Sequence, residues 1–303
     1  MSSGHDHGER TAAHEHRGRL AIVLGLMLFI AVVQVIGSGF SSSLALLADA
    51  GHSLADSAGV ALALFAVWLG SRPFSTKRTF GLQRAEILAA AANALILFAL
   101  CAFVVYEAVK RVMSPEPVTG PIMVAVATFG LVGNLIGMML LRKGKDKSLN
   151  LRGAYLEVFS DMLTSLGVII AAVVIWTTGW HQADSVASLL IAAIIVPRAW
   201  RLLSEAVHVL LEATPRNVDL EVVRDHMLSQ PGVVDIHDLH AWTITSGVPV
   251  MSAHVVVREE VLADCGKILD DLHACLSGHF DMAHSTLQIE PEGHVDHEGA
   301  RHT

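Results

Sequence analysis

The sequence has few of the charged side chains that a soluble protein of its length carries on its surface. Charged residues make up 17% of its 303 residues, whereas about 25% is usual for soluble domains. Hydrophobic residues make up 52%, and the mean hydropathy is +0.52. This composition excludes an ordinary soluble globule and predicts an integral membrane protein with an attached polar part.

Basic residues, cysteines and nucleotide-binding motifs are also scarce, and each absence excludes a class of protein. A total of 21 Lys and Arg against 29 Asp and Glu gives a formal net charge of −8, which argues against a nucleic-acid partner. The cysteines (Cys101, Cys265 and Cys275) form no CxxC pair and no disulfide framework. The sequence contains no P-loop, Rossmann fingerprint or nucleophile elbow, so no motif indicates ATP-driven or hydrolytic chemistry.

Long apolar stretches dominate the first two thirds of the chain. A helix that spans a bilayer needs about 20 mostly apolar residues, and six stretches meet or approach this length: 20–39, 44–69, 85–109, 118–141, 155–176 and 183–203. Lys and Arg concentrate before the first stretch, after the second and fourth, and at the end of the sixth. By the positive-inside rule, both termini are predicted to be cytoplasmic.

The sequence changes character after the last apolar stretch. From about Asn217 the hydrophobic pattern predicts a helix, two strands, a second helix and a last strand. This order predicts a two-layer α+β domain that is ferredoxin-like in outline. We therefore divide the chain into a disordered His-rich tail (1–18), an α-helical transmembrane domain of six helices (19–212), a cytoplasmic domain (213–291) and a polar tail (292–303).

Four ionisable side chains lie inside two of the predicted spans, where charge is costly. His52 and Asp56 are four residues apart on the second span, and Glu157 and Asp161 are four apart on the fifth, so each pair shares a helix face. If these spans pack together, an imidazole and three carboxylates meet, and Zn²⁺ accepts such a ligand set. Three buried carboxylates cannot all stay ionised, so the empty site must hold protons that a divalent metal displaces. The pattern predicts a metal/proton exchanger.

Other interpretations of the polar residues in the spans stay open at this point. Asp49, one turn before His52, is a proton relay, a group that orients the ligands, or a contact that pairs two helices. An intramembrane metalloenzyme would need an additional base and a vacant coordination position, and no such base stands out. A membrane metal sensor would bind metal without moving it, so flux separates a sensor from a transporter.

Five stretches spread over the chain carry a resemblance to a known family: LLADAGHSLADSAG, RTFGLQRAEILAAAANAL, RGAYLEVFSDMLTSLGVI, IHDLHAW and SAHV. They resemble the cation diffusion facilitators, divalent-metal/proton antiporters that include bacterial zinc, cadmium and cobalt exporters. The resemblance implies a homodimer in a bacterial inner membrane that exports metal from the cytoplasm without an organic cofactor. It also implies six transmembrane helices, cytoplasmic termini and a ferredoxin-like cytoplasmic domain that binds metal.

The resemblance further implies which residues bind metal. His52 and Asp56 build the transport site with the pair at 157 and 161, and the usual zinc-transporting pattern has His at the position of Glu157. Zn²⁺ is the expected substrate, but a glutamate makes the site harder and less exclusive for Zn²⁺, so Co²⁺, Cd²⁺, Fe²⁺ and Mn²⁺ are alternatives. In the cytoplasmic domain the resemblance favours four ligands, and the alternative is that the histidines among them lie on the strand surface or at a dimer interface. The four are His237, His254, His284 and Glu290.

Overall fold

The computed structural model describes residues 6–70, 75–142, 149–280, 282 and 284–294. The chain forms two compact units, and each is described by itself. One unit combines Met1–Leu64 with Ala92–Leu203, and the other combines Phe65–Ala91 with Ser204–Thr303.

Long helices make up the first two thirds of the chain. They are α1 (Asp6–Ser41), α2 (Leu44–Gly70), α3 (Ala85–Met113), α4 (Gly120–Arg142), α5 (Leu149–Thr178) and α6 (Gln182–Leu210). Among the residues described, five helices are long and apolar enough to cross a membrane, namely α1 and α3 to α6. The chain is therefore a helical membrane protein. Helix α2, which carries three ionisable side chains in its interior, corresponds to the second predicted span.

Most of the predicted N-terminal tail is helical. Helix α1 begins at Asp6, whereas the sequence analysis predicts a disordered tail as far as residue 18. The residues in between include alanine, glutamate and arginine, which favour helix, and no proline that would stop it. Residues 1–5 lie outside the described part of the chain, as does the predicted polar tail from residue 295 onward.

Helix α4 packs closely against α1 through small residues at helical spacing. Its buried face includes Gly130 and Gly133. A Cβ atom added at Gly133 would lie 2.4 Å from Ile30 Cδ1, and one at Gly130 would lie 2.8 Å from Gln34 Nε2. Small residues at such positions let helix backbones approach in a membrane protein. This contact fixes Gln34 of α1 beside the site described below.

The start of α2 is held by a carboxylate from α6. Asp184 Oδ1 accepts hydrogen bonds from Ser43 Oγ at 2.6 Å and from the backbone N–H of Ala45 at 3.2 Å, and Oδ2 accepts from the N–H of Leu44 at 2.7 Å. The first N–H groups of a helix have no partner within the helix. Asp184 therefore supplies an N-cap from a distant part of the sequence and fixes the position of α2.

The second unit contains the strands. After α6 come α7 (Leu220–Leu228), β1 (Val233–Thr243), β2 (Pro249–Val257), a 3₁₀ turn, α8 (Cys265–Phe280) and β3 (His284–Pro291). This is the helix–strand–strand–helix–strand order that the sequence predicts. The sheet order is β1-β2-β3, with β1 and β2 antiparallel and β2 and β3 parallel. Apolar residues of α7 and α8 pack with buried strand residues to form one core.

Candidate metal-binding sites

Helices α2 and α5 bring three ligand side chains together in the unit that combines Met1–Leu64 with Ala92–Leu203. His52 Nε2 lies 3.3 Å from Asp56 Oδ2 and 3.8 Å from Asp161 Oδ1. The ligand atoms of the three residues all lie within 4.8 Å of one another. His52 and Asp161 are fully buried, and the side chain of Asp56 is 13% exposed. The structure thus places three of the four predicted transport-site residues at one point.

Several oxygen atoms of this cluster have unused hydrogen-bonding capacity. Both carboxylate oxygens of Asp161 and Oδ2 of Asp56 are buried and accept no hydrogen bond from any residue that the structure describes. A buried polar group left in this state costs about 1–3 kcal/mol, and more if it is charged. Carboxylate oxygens and an imidazole nitrogen that face one another can coordinate a divalent cation, which then takes the place of the missing hydrogen-bond donors. The donor set therefore fits a metal ion.

Glu157, the fourth predicted residue, lies one turn before Asp161 and is hydrogen-bonded to an arginine. Its Oε1 accepts a hydrogen bond from Arg198 Nη2 at 3.0 Å, and Arg198 Nη1 lies 3.1 Å from His52 Nε2. Glu157 also lies within hydrogen-bond reach of Asp56. The sequence analysis missed Arg198, which it assigned to the end of the sixth span. The available signal was an arginine directly after Pro197, close to the apolar stretch of α6.

Asp49 lies beside the ligand cluster and joins three helices. Its carboxylate accepts hydrogen bonds from Gln34 Nε2 of α1 at 2.6 Å and from Thr164 Oγ1 and Ser165 Oγ of α5 at 2.7 and 3.1 Å. The Thr164 hydroxyl also lies 2.9 Å from the backbone carbonyl of Asp161. These contacts correspond to the helix-pairing alternative for Asp49, and they reach the backbone of a ligand residue.

A second cluster of ligand side chains lies on the sheet of the other unit. His237 of β1 and His254 of β2 are cross-strand partners whose ring centroids are 4.9 Å apart. Glu290 of β3 is buried, with Oε1 2.6 Å from His254 Nδ1 and Oε2 3.4 Å from His237 Nε2. Asp238 Oδ2 lies 3.0 Å from His237 Nδ1. The ligand atoms of Asp238 and the two histidines lie within 4.8 Å of one another.

The structure does not bring His284, the remaining predicted ligand, to this cluster. His284 pairs with Val250 at the start of β3, whereas Gln288 pairs with His254. Four residues along a strand span about 13 Å, so the register of β2 and β3 places His284 well away from His254.

Asp238 takes part in this cluster although the sequence analysis did not select it. The pairing of β1 with β2 is irregular between His237 and His240, and the backbone of Asp238 has a φ of +45°. Aspartate is one of the few residue types that adopt this left-handed conformation readily. The irregularity brings the Asp238 carboxylate to the neighbouring imidazole. A bulge of this kind leaves no clear signal in the pattern of alternating residues.

Comparison with known proteins assigns both units to one family. Residues 20–211 match the cation efflux transmembrane domain, and residues 215–292 match the cytoplasmic domain of cation efflux proteins. The chain belongs to the cation efflux family, the cation diffusion facilitators. As a cation efflux protein it is a transporter of metal cations and not an enzyme. The resemblance stated from the sequence is thereby confirmed.

Cation efflux proteins from several bacteria are similar to nearly the whole chain. The metal cation efflux system protein CzcD of Cupriavidus metallidurans is 43% identical over 290 residues, which cover 96% of this chain and 90% of the relative. The zinc transporter ZitB of Escherichia coli is 38% identical over 293 residues, with coverage of 96% and 93%. The cadmium, cobalt and zinc/H(+)-K(+) antiporter of Bacillus subtilis is 36% identical over 300 residues, with coverage of 98% and 94%.

One solved structure is similar to the cytoplasmic part of this cation efflux protein. It is the metal-bound C-terminal domain of the CzcD transporter from Cupriavidus metallidurans, which is 40% identical to the matched residues. The match covers 24% of this chain and 99% of that structure, with a TM-score of 0.23.

Proposed function

We propose that this cation efflux protein exports Zn²⁺ from the cytoplasm in exchange for protons. The observation that carries the proposal is the buried cluster of His52, Asp56 and Asp161, whose ligand atoms lie within 4.8 Å of one another. Two relatives support the choice of substrate and exchange ion, because one is a zinc transporter and another is a cadmium, cobalt and zinc/H(+)-K(+) antiporter.

In this proposal Glu157 joins the cluster as the fourth ligand. Its position on the same face of α5 as Asp161, and its contact with Asp56, support this role. The resulting set of one imidazole and three carboxylates suits Zn²⁺ in a four-coordinate site. Because three of the four ligands are hard oxygen donors, Co²⁺, Fe²⁺ and Mn²⁺ are further substrates at lower preference. The similar cadmium, cobalt and zinc antiporter of Bacillus subtilis supports Cd²⁺ as another.

Exchange for protons follows from the charge of this ligand set. The empty site is buried, and its carboxylates lie too close together for all of them to remain ionised. The site therefore takes up protons when it is empty and releases them when a divalent metal binds. A lower pH on the far side of the membrane then favours protons over metal and drives release of the ion.

The proposal counts α2 as a membrane span in addition to the five helices named above, which gives six spans. Ionisable residues are tolerated inside a span when they face the interior of a helix bundle, and His52 and Asp49 are both buried in the described structure. Both termini are cytoplasmic, in agreement with the distribution of Lys and Arg. A bacterial inner membrane is the proposed location, since the similar transporters come from bacteria.

The cytoplasmic domain has a ferredoxin-like arrangement in this proposal and binds a second metal. The contacts of Glu290 with His237 and His254, together with the adjacent Asp238, support a site on the sheet. The match to the cytoplasmic domain of cation efflux proteins, which is named as a dimer domain, supports a homodimer. Metal binding here would regulate or stabilise the dimer, separately from the transport site.

A flux measurement tests the proposed function. The full chain is reconstituted into liposomes with an acidic lumen, and Zn²⁺ is added outside. We expect Zn²⁺ to accumulate in proportion to the pH gradient. Loss of a group that merely orients a metal ligand costs about 10–100-fold in affinity or activity. Asp56→Asn and Asp161→Asn each change a ligand itself, so we expect uptake to fall by at least as much. Asp270→Asn changes an exposed aspartate of α8 and serves as the matched control.

Two results of this measurement would contradict the proposal. If wild type binds Zn²⁺ but accumulates none, the protein is a metal sensor. If uptake occurs but does not depend on the pH gradient, metal moves without proton exchange.

A further inference from the structure

A positively charged side chain contacts the proposed transport site. The guanidinium of Arg198, on α6, contacts one ligand residue from each of the two ligand-bearing helices. Nη1 lies 3.1 Å from His52 Nε2, and Nη2 donates to Glu157 Oε1 at 3.0 Å. The side chains of Arg198 and Glu157 are each 32% exposed, so this pair is more exposed than His52 and Asp161, which are buried, and than Asp56.

The chemistry of arginine determines how these contacts are made. A guanidinium carries only hydrogen-bond donors. His52 Nε2 must therefore be the acceptor, and its lone pair is directed at Arg198. A metal ion bound by His52 through Nε2 would need that same lone pair, as it would need the Glu157 oxygen that Arg198 holds. Arginine and metal thus use the same two ligand atoms.

We propose that Arg198 is a built-in competitor for the transported metal, because its guanidinium holds two ligand atoms and must leave before His52 and Glu157 can both bind the ion. This inference rests on the proposed transport site. A bound divalent ion would lie only a few ångströms from the present position of the guanidinium, and like charges repel strongly where water is scarce. The arginine therefore lowers the affinity of the site for metal and favours release of the ion after transport.

The surroundings of Arg198 allow such a movement. Its side chain is partly exposed, so the protein does not enclose the guanidinium on all sides. The preceding residue, Pro197, lacks the N–H that would bond to the carbonyl of Ala193, and a proline inside a helix weakens it at that point. A purely structural role is the alternative, in which Arg198 clamps α6 to α2 and α5.

The two roles predict changes of opposite sign when the charge is removed. We would titrate Zn²⁺ into the purified full chain by calorimetry, with His237→Ala and His254→Ala in every sample to remove the cytoplasmic site. As a competitor, Arg198 weakens binding, so we expect Arg198→Met to bind Zn²⁺ about 10-fold more tightly, within the range of typical coupling between ligands. As a clamp, Arg198 orders the ligands, and Arg198→Met would bind more weakly.

Two further variants make the test specific. Arg201→Met removes an exposed arginine from the same helix and should leave Zn²⁺ affinity unchanged. Arg198→Ala leaves room for a small cation, and we expect millimolar methylguanidinium to weaken its Zn²⁺ binding towards the wild-type value, whereas the same concentration of KCl does not. A structural clamp would not produce competition between methylguanidinium and Zn²⁺.

The outcomes separate this inference from the proposed function. If Asp161→Asn leaves the Zn²⁺ affinity of the membrane site unchanged, the proposed site is wrong. If Asp161→Asn abolishes binding but Arg198→Met binds Zn²⁺ equally or more weakly, only the competitor role is overturned. If Arg198→Met does not fold, Arg198→Lys decides, because an ammonium lacks the fork of donors that reaches two ligands. Tighter binding in Arg198→Lys supports the competitor, and equal or weaker binding overturns it.

Discussion

His52 Nε2 and Asp161 Oδ1 lie 3.8 Å apart, although one belongs to α2 and the other to α5. This distance is too long for a hydrogen bond. Two N or O ligands that each lie about 2.1 Å from a Zn²⁺ ion can be at most about 4.2 Å apart. The two side chains can therefore bind a single ion with little movement of their helices, and several consequences of this arrangement can be measured.

Replacement of Glu157 by histidine should change the metal preference. Glu157→His removes a hard carboxylate and adds an imidazole, which suits Zn²⁺ better than Mn²⁺. We expect the ratio of Zn²⁺ to Mn²⁺ flux in the liposome assay to rise several-fold. Glu157→Asp keeps the carboxylate and should leave the ratio near that of wild type. An unchanged ratio in Glu157→His would exclude Glu157 as a ligand.

The contact between Thr164 and Asp49 should contribute to stability. Thr164→Val keeps the shape of the side chain but removes the hydroxyl that donates to Asp49 at 2.7 Å. Because a buried acceptor loses a partner, we expect a loss of about 1–3 kcal/mol, seen as a lower unfolding temperature in detergent. Thr177→Val, near the end of α5, is the control, since the Thr177 hydroxyl is exposed and bonds only to carbonyls of its own helix. Equal effects of the two substitutions would contradict this role of Asp49.

Asp184 should protect the first turn of α2 from hydrogen exchange. Its carboxylate accepts from the N–H groups of Leu44 and Ala45, so Asp184→Ala leaves both donors without that acceptor. We expect faster amide exchange confined to this turn, measured by mass spectrometry. Asp219 caps α7 in the same way through Glu221 N, and Asp219→Ala should affect only that helix. Unchanged exchange at the start of α2 in Asp184→Ala would show that other groups hold it.

The cytoplasmic site should depend on His254 and not on His284. In a background of Asp161→Asn, which removes the membrane site, we expect His254→Ala to lose most of its Zn²⁺ binding, measured by calorimetry. His284→Ala should bind as the background does, because His284 pairs with Val250 and lies away from the cluster. Loss of binding in His284→Ala would mean that the ligands come together in an arrangement different from the one in this structure.

Some features of the fold and of the candidate site depend only on the spacing of residues within one helix or strand. The period of a helix alone fixes that His52 and Asp56 share a face, as do Glu157 and Asp161, so the ligand-bearing faces could be read from the sequence. An acid inside an apolar stretch is costly enough to indicate a specific role. The order of helices and strands after residue 217 followed in the same way from the hydrophobic pattern.

The features that the sequence did not reveal depend on contacts between elements. Arg198 near the end of an apolar stretch is typical of an interfacial anchor, and only the packing of α6 against α2 and α5 brings it to His52. The position of His284 has a similar cause, since the register of the parallel strands β2 and β3 decides which residue lies beside His254. Neither the packing of helices nor the register of strands is set by the spacing of residues within one element.

The ligands of the transported metal can be determined directly by X-ray absorption spectroscopy. The sample is the full chain with His237→Ala and His254→Ala, loaded with one equivalent of Zn²⁺. We expect about four N and O atoms near 2.0–2.1 Å from the Zn²⁺ ion, with outer-shell scattering from a single imidazole, that of His52. Scattering from two or more imidazoles, or a sulfur ligand, would contradict the assignment of the transport site to His52, Asp56, Glu157 and Asp161.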